Sequence, residues 1–325
     1  MAQLVRGEWV DTAPAAEETG KDGRFRREDS AFRGTISADP AAEFPAQAGR
    51  YQLWVAWVCP WAGRTLAWRA LKGLTDVIDV RYAQPGLPKQ GWVFDEGPDG
   101  PVESGYPLHR LYVEHDPLYT GKVSVPVLWD RQSRRIVNNE SSEIIRILNS
   151  AFDGITGNRH DLYPAPLRDQ IDRWNDLIYP TLNNGVYRSG FAATQHAYDE
   201  AVCQVFDTLD TMEAHLATHR YLAGEWLTEA DWRAFATLVR FDVGYYGAFK
   251  CNLRKIDEYP ALSHYLRELY QWPGIAETVR LDLIHSGYYQ IADKHGIVAI
   301  GPRVDLTTPH DRERLPGNGI WERGI

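Results

Sequence analysis

The chain has 325 residues, 44% of them hydrophobic and 24% charged, with a net charge of −9 at neutral pH. That length suits two domains, or one large one, with ample core. The acidic balance and the lack of a basic patch argue against a nucleic-acid partner, and no apolar run reaches membrane-spanning length.

The N-terminus shows no apolar signal core. Only three cysteines are present, which argues against a disulfide scaffold and for a reducing compartment, the cytoplasm by default. Aromatic residues are abundant, with 12 Trp and 17 Tyr. On composition alone they read as large cores before they read as a site for flat ligands.

Residues 1–49 are rich in Gly, Ala, Pro and charge, and read as an arm or lid with little core of its own. "YQLWVAW" (51–57) has the aromatic and β-branched content of a strand. Pro60 follows at a helix first turn, and Ala67, Ala70, Leu71 and Leu74 mark one apolar helical face. "VIDVRY" (77–82) is the next strand. A Gly/Pro-rich insertion fills 83–107, and with the short helical piece after it extends to 118; it is long for a structureless loop. "SVPVLWD" and "RRIVNN" are two strands, and "ESSEIIRILNS" is a helix.

Residues 50–152 thus read β-α-β, then β-β-α, a thioredoxin-like order. From 160 to 283 the pattern is nearly all helix, with Thr228 and Asp231 spaced as a capping box. A Gly/Pro-rich C-terminal extension occupies 284–325. The expected fold class is therefore α/β plus all-α: an N-terminal thioredoxin-like domain followed by a helical one.

The chemistry centres on "WVCPWAGRTL" (57–66). Cys59 stands at the seam between strand and helix, where free N–H groups and the positive dipole end lower a thiol pKa. Arg64, one turn on, adds positive charge. A reactive thiol is favoured over a buried structural one. A two-cysteine redox motif would place its second cysteine at Ala62. Without it, a mixed disulfide on Cys59 must be resolved by an external thiol, which points to glutathione or a similar small thiol. A cis Val125-Pro126 bond in "SVPV" would turn the Val125 N–H and C=O toward the thiol, where they pair with a peptide backbone. Glu140 and Ser141 open the next helix: Glu140 suits an ammonium, and the N–H groups and hydroxyl there suit a carboxylate, the alternative being simple helix capping by Asn139 or Ser141.

With these motifs in hand, the chain resembles the glutathione transferases, and more narrowly the Xi-class glutathionyl-hydroquinone reductases. The resemblance rests on "CPWAGRTL", "GWVF", "VSVPVLWD", "IVNNESSEII", "NNGVYRSGFA", "RFDVGYYGAFKCNLR" and "GPRVDL". It implies that Cys59 attacks the glutathionyl sulfur of a glutathionyl-hydroquinone and that a second glutathione resolves the resulting disulfide. It further implies that Trp92 covers glutathione, and that Lys122, Val123, Ser124, Val125, Glu140 and Ser141 bind its backbone and γ-glutamyl end. Tyr187 takes a catalytic role by the same resemblance, with Tyr245 and Tyr288 supporting substrate or thiolate. On the residues alone each of these tyrosines reads as core, and Tyr246 and Tyr289 are rival assignments. Glutathione is the implied co-substrate, and a homodimer the implied assembly.

Two positions depart from the family pattern: Gly63 replaces its usual His, and Lys122 its usual Arg. A lysine is a point charge without the guanidinium fork, so a carboxylate contact there changes shape.

Other signals are set aside. Cys203 reads as core and Cys251 as packing. His215 and His219 have metal-pair spacing but no third ligand, so no metal is expected. The competing functions are a glutaredoxin-like thioltransferase or dehydroascorbate reductase, and a non-catalytic glutathione-fold binding module.

Overall fold

The computed structural model describes residues 3–10, 19–86, 88–292 and 295–324. The chain divides into two compact units, Met1–Glu17 with Glu28–Asn158, and Glu18–Arg27 with Arg159–Ile325.

The first unit is built on a four-stranded sheet in the order Asp79–Tyr82, Tyr51–Val55, Val127–Asp130, Arg135–Asn138. The first pair is parallel, and the other two pairs are antiparallel. Tyr51, Leu53, Trp54 and Val55 are all buried, so the central strand is covered on both faces. Gln52, also buried, donates its side-chain amide to the Pro98 carbonyl at 3.1 Å. The helices Pro60–Leu71 and Ser141–Leu148 pack together, giving the expected β-α-β, β-β-α order. Gly73, at φ +63°, ends the first helix in the left-handed conformation.

The insertion is more ordered than its Gly and Pro content suggests. It folds into a hairpin, Val93–Gly97 against Gly100–Pro107, followed by the helix His109–His115. Short alternating segments on either side of "PD" carried this signal, but the surrounding glycines and prolines obscured it.

Residues 1–49 also differ from a free arm. Gln3–Val5 and Glu8–Val10 form a hairpin, and Gln3–Val5 pairs onward with Gly121–Lys122. Phe25, Ile36 and Phe44 are buried. The segment is shared between the two units, with 18–27 grouped with the helices; residues 11–18 lie outside the described part.

The second unit is helical. Its longest helix, Gln195–Leu216, is capped by the Thr194 hydroxyl, which accepts the Ala197 N–H. Helix Glu229–Arg240 starts with the expected box: the Asp231 carboxylate accepts the Thr228 N–H at 2.8 Å. It also accepts from Leu222 N–H and the Tyr265 hydroxyl. Helix Leu281–Ala292 runs through the expected boundary at 283; the Gly/Pro-rich character begins only after it. Near the C-terminus, Gly319–Glu322 pairs with both His160–Asp161 and Trp226–Leu227. Among the described residues, no helix is long and apolar enough to cross a membrane.

Candidate functional site

Cys59 is the N-cap of helix Pro60–Leu71, with Pro60 in the first turn. Its carbonyl accepts the first helical bond, from Gly63 N–H at 3.0 Å. The side chain is partly buried, and its thiol donates to the Val125 carbonyl at 3.5 Å. The Val125-Pro126 peptide is cis. The sequence therefore places the sulfur as expected: at the helix's positive end, facing the backbone before the proline. Arg64 is buried, with its guanidinium 4.5 Å from the Trp61 ring centre. Its charge acts on Glu140.

Glu140 itself caps helix Ser141–Leu148, in place of Asn139 or Ser141. One carboxylate oxygen accepts from the Ser142 N–H at 3.0 Å and hydroxyl at 2.8 Å, and the other from the Ser30 hydroxyl at 3.0 Å. Burial alone raises its pKa, but these bonds and the Arg64 charge outweigh it, and the net shift is downward. Glu140 is thus held as an anion with acceptor capacity to spare for an ammonium. Ser141, buried, is the first residue of the helix.

The remaining expected glutathione residues lie in the same unit. Lys122 is in the short strand Gly121–Lys122, with its ammonium 3.9 Å from Glu28. Val123, half-buried Trp92 and Cys59 itself pack against one apolar cluster that contains Trp54, Tyr112, Val125 and Trp129. Both the N–H and the carbonyl of Ser124 bond the Tyr112 hydroxyl. Sequence reading missed Tyr112 and Ser30, and took Asn139 only as a helix cap. No local pattern marks them, because their partners are 12 to 110 residues away.

The second unit gathers the three tyrosines. The Tyr288 hydroxyl lies 2.9 Å from that of Tyr187 and 2.7 Å from that of Tyr245. The rings of all three contact Phe249. Tyr245 and Tyr288 are buried, and burial pushes both phenols well above their usual pKa. They remain neutral O–H groups at physiological pH. The neighbours Tyr246 and Tyr289 are only partly buried; Tyr289 packs on His285. Two π-helical turns deliver the trio, Tyr179–Asn183 just before Tyr187 and Phe241–Tyr245 ending on Tyr245. Gly244 lets Tyr288 close in: a Cβ there would sit 2.6 Å from its ring. The guanidinium of Arg27 lies 5.0 Å from the Tyr187 ring centre.

The other cysteines separate clearly. Cys251 is buried, and burial pushes its thiol up to about 12. Cys203, expected in the core, is exposed. Helix Gln195–Leu216 buries Ala201, Val202, Val205, Phe206 and Leu209, and position 203 falls on the face away from that stripe. The His215 and His219 rings stack at 4.2 Å, and burial lowers the His215 pKa. Among the described residues, no three His, Cys, Asp or Glu side chains converge as a metal site.

A thioredoxin-like unit followed by a helical unit is the architecture of the glutathione transferases. Residues 58–151 match the glutathione S-transferase N-terminal domain family, and residues 195–268 the C-terminal one. The chain is 46% identical to the glutathionyl-hydroquinone reductase YqjG of Escherichia coli, over 96% of this chain and 99% of that protein. It is 47% identical to PcpF of Sphingobium chlorophenolicum, named the same way, over 94% and 98%. Among solved structures, a Xi-class transferase from Natrialba magadii superposes with a TM-score of 0.87, at 43% identity and 98% coverage of both chains. Glutathione-bound YqjG superposes at 0.84, with 43% identity, covering 96% and 99%. The chain belongs to the Xi-class, glutathionyl-hydroquinone reductase branch of the glutathione S-transferase family.

Proposed function

We propose that this chain is a glutathione-dependent reductase of glutathionyl-hydroquinones, acting through Cys59. The observation that carries this reading is the lone thiol at a helix N-terminus, with Ala62 where a resolving cysteine would stand. The Cys59 thiolate attacks the glutathionyl sulfur. A sulfur–sulfur bond forms as the sulfur–aryl carbon bond breaks. The aryl carbon keeps that electron pair and takes a proton, giving the hydroquinone. A second glutathione thiolate then attacks the glutathione sulfur of the mixed disulfide; oxidised glutathione leaves, and Cys59 returns as thiolate.

The Val125 backbone, Lys122, Val123, Ser124, Glu140, Ser141 and Trp92 are assigned to glutathione. An anionic Glu140 matches the γ-glutamyl ammonium, and the N–H groups opening the next helix match its carboxylate. Tyr187, Tyr245 and Tyr288 are assigned to the hydroquinone. With Tyr245 and Tyr288 held neutral, the hydroxyl chain donates hydrogen bonds toward developing negative charge on the leaving ring. Three linked phenols favour an aromatic acceptor over a general disulfide or dehydroascorbate. A cytoplasmic homodimer is the setting the family membership favours.

Turnover of a glutathionyl-hydroquinone with added glutathione tests the reading. Wild type converts it and Cys59→Ala does not. Equal rates in both proteins would overturn it.

A further inference from the structure

We propose that Tyr112 is a positioning residue that locks together the two loops assigned above to glutathione, the Lys122–Val125 loop and the Glu140 helix start; the inference rests on that assignment. Tyr112 lies on helix His109–His115, inside the insertion, and its side chain is completely buried. Its hydroxyl makes three bonds. It donates to the Ser124 carbonyl at 2.9 Å, accepts the Ser124 N–H at 3.2 Å, and accepts the Asn139 side-chain amide at 3.2 Å. One phenol oxygen therefore fixes both backbone groups of the residue before Val125 and the side chain of the residue before Glu140. One donor and two acceptor sites exhaust a phenol's capacity, so the group is fully used and has no freedom to exchange with water.

The N-terminal segment closes the same network from the other side. Asn139 donates its backbone N–H to the Phe32 carbonyl at 3.1 Å and accepts the Phe32 N–H on its side chain at 3.0 Å. The Ser30 hydroxyl lies within bonding distance of both the Asn139 carbonyl and the Glu140 carboxylate. The Phe32 ring packs edge-on against Tyr112 at 5.6 Å. Val125 carries the carbonyl that accepts from Cys59, so the lock extends to one residue from the thiol's partner. Two segments without chemistry of their own, the insertion helix and residues 30–32, thus set the spacing between the backbone-pairing end and the γ-glutamyl end of one tripeptide site. Pre-set spacing saves the cost of ordering loops on binding.

Removing only the oxygen tests this. Tyr112→Phe keeps the ring and its packing on Phe32, but leaves the Ser124 N–H, the Ser124 carbonyl and the Asn139 amide without their shared partner. Noncovalent glutathione binding is measured by calorimetry on a Cys59→Ala background, and KM for glutathione and kcat on the Cys59 protein. The expected result is a Kd raised roughly tenfold, with KM rising more than kcat falls. Asn139→Ala should also raise Kd, and the double variant should lose less than the sum of the two singles, because the Tyr112–Asn139 bond is broken in both. A purely structural role would lower the active fraction, and hence apparent kcat, with Kd unchanged, and that result would overturn the proposal. Additive losses in the double variant would overturn it as well. If Tyr112→Phe does not fold, Asn139→Ala alone decides by the same Kd comparison. Failure of the parent Cys59→Ala protein to bind glutathione would instead sink the functional reading along with it.

Discussion

Cys59 and Cys251 are the same side chain in opposite settings. One caps a helix at its positive end and is partly open; the other is sealed in the core, its thiol pushed up to about 12. Iodoacetamide at pH 7 should therefore alkylate Cys59 about tenfold faster than free cysteine, while Cys251 reacts only on unfolding. Exposed Cys203 serves as the internal reference, read by peptide mass spectrometry. Equal labelling of Cys59 and Cys203 would remove the case for an activated thiol. The tyrosines divide the same way. Tyr288 holds the central hydroxyl, so Tyr288→Phe removes both links at once. A fall in kcat of about ten- to a hundredfold is expected. Tyr246→Phe, outside the chain of hydroxyls, should stay within about twofold of wild type; a comparable loss there would contradict the assignment. The sequence alone left the choices within "GYYG" and "GYYQ" open, because adjacent residues on a helix look alike until neighbouring turns fix which one points inward.

At the scale of elements, the π turn Phe241–Tyr245 sets the direction of Tyr245 and the close approach of Tyr288. Gly244→Ala should destabilise the protein by about 1–3 kcal/mol in urea titration, because the ring must move to admit the Cβ. Asp242, at the same turn, accepts the backbone N–H groups of Ile256 at 2.7 Å and Asp257 at 3.2 Å. Burial raises its pKa from 3.8 to about 6, against those two bonds. A raised folded-state pKa means the native state holds a proton that the unfolded chain releases. The stabilisation is full below about pH 4 and fades as pH climbs through 6. An Asn cannot titrate, so the cost of Asp242→Asn should shrink between pH 4 and pH 7 when thermal midpoints are compared. A cost that stays constant or grows over that range would contradict burial as the dominant influence. The capping box at Thr228 was legible in the sequence, since its two partners are three residues apart. The hold on Glu140 was only partly legible: its cap bonds go to Ser142, two residues on, but Ser30 and Arg64 act on that carboxylate from far along the chain.

For the whole molecule, the order of elements told most of the architecture. Strand and helix periods, the seam at Cys59 and the long helical stretch from 160 each come from local pattern, and local pattern is visible in a single sequence. What escaped was built from distant partners: the division of residues 1–49 between units, the hairpin hidden among insertion glycines, and the network around Tyr112. The central claim is a chemical one, that a single thiol takes glutathione from an aryl carbon and passes it to the sulfur of a second glutathione. Intact-mass spectrometry after mixing the protein with a glutathionyl-hydroquinone, with no free glutathione present, tests it most directly. The account predicts one added glutathione, located on Cys59 by peptide mapping, with one hydroquinone released per protein and loss of the adduct when glutathione is supplied. Hydroquinone release without an adduct, or an adduct on Cys203 in place of Cys59, would contradict it.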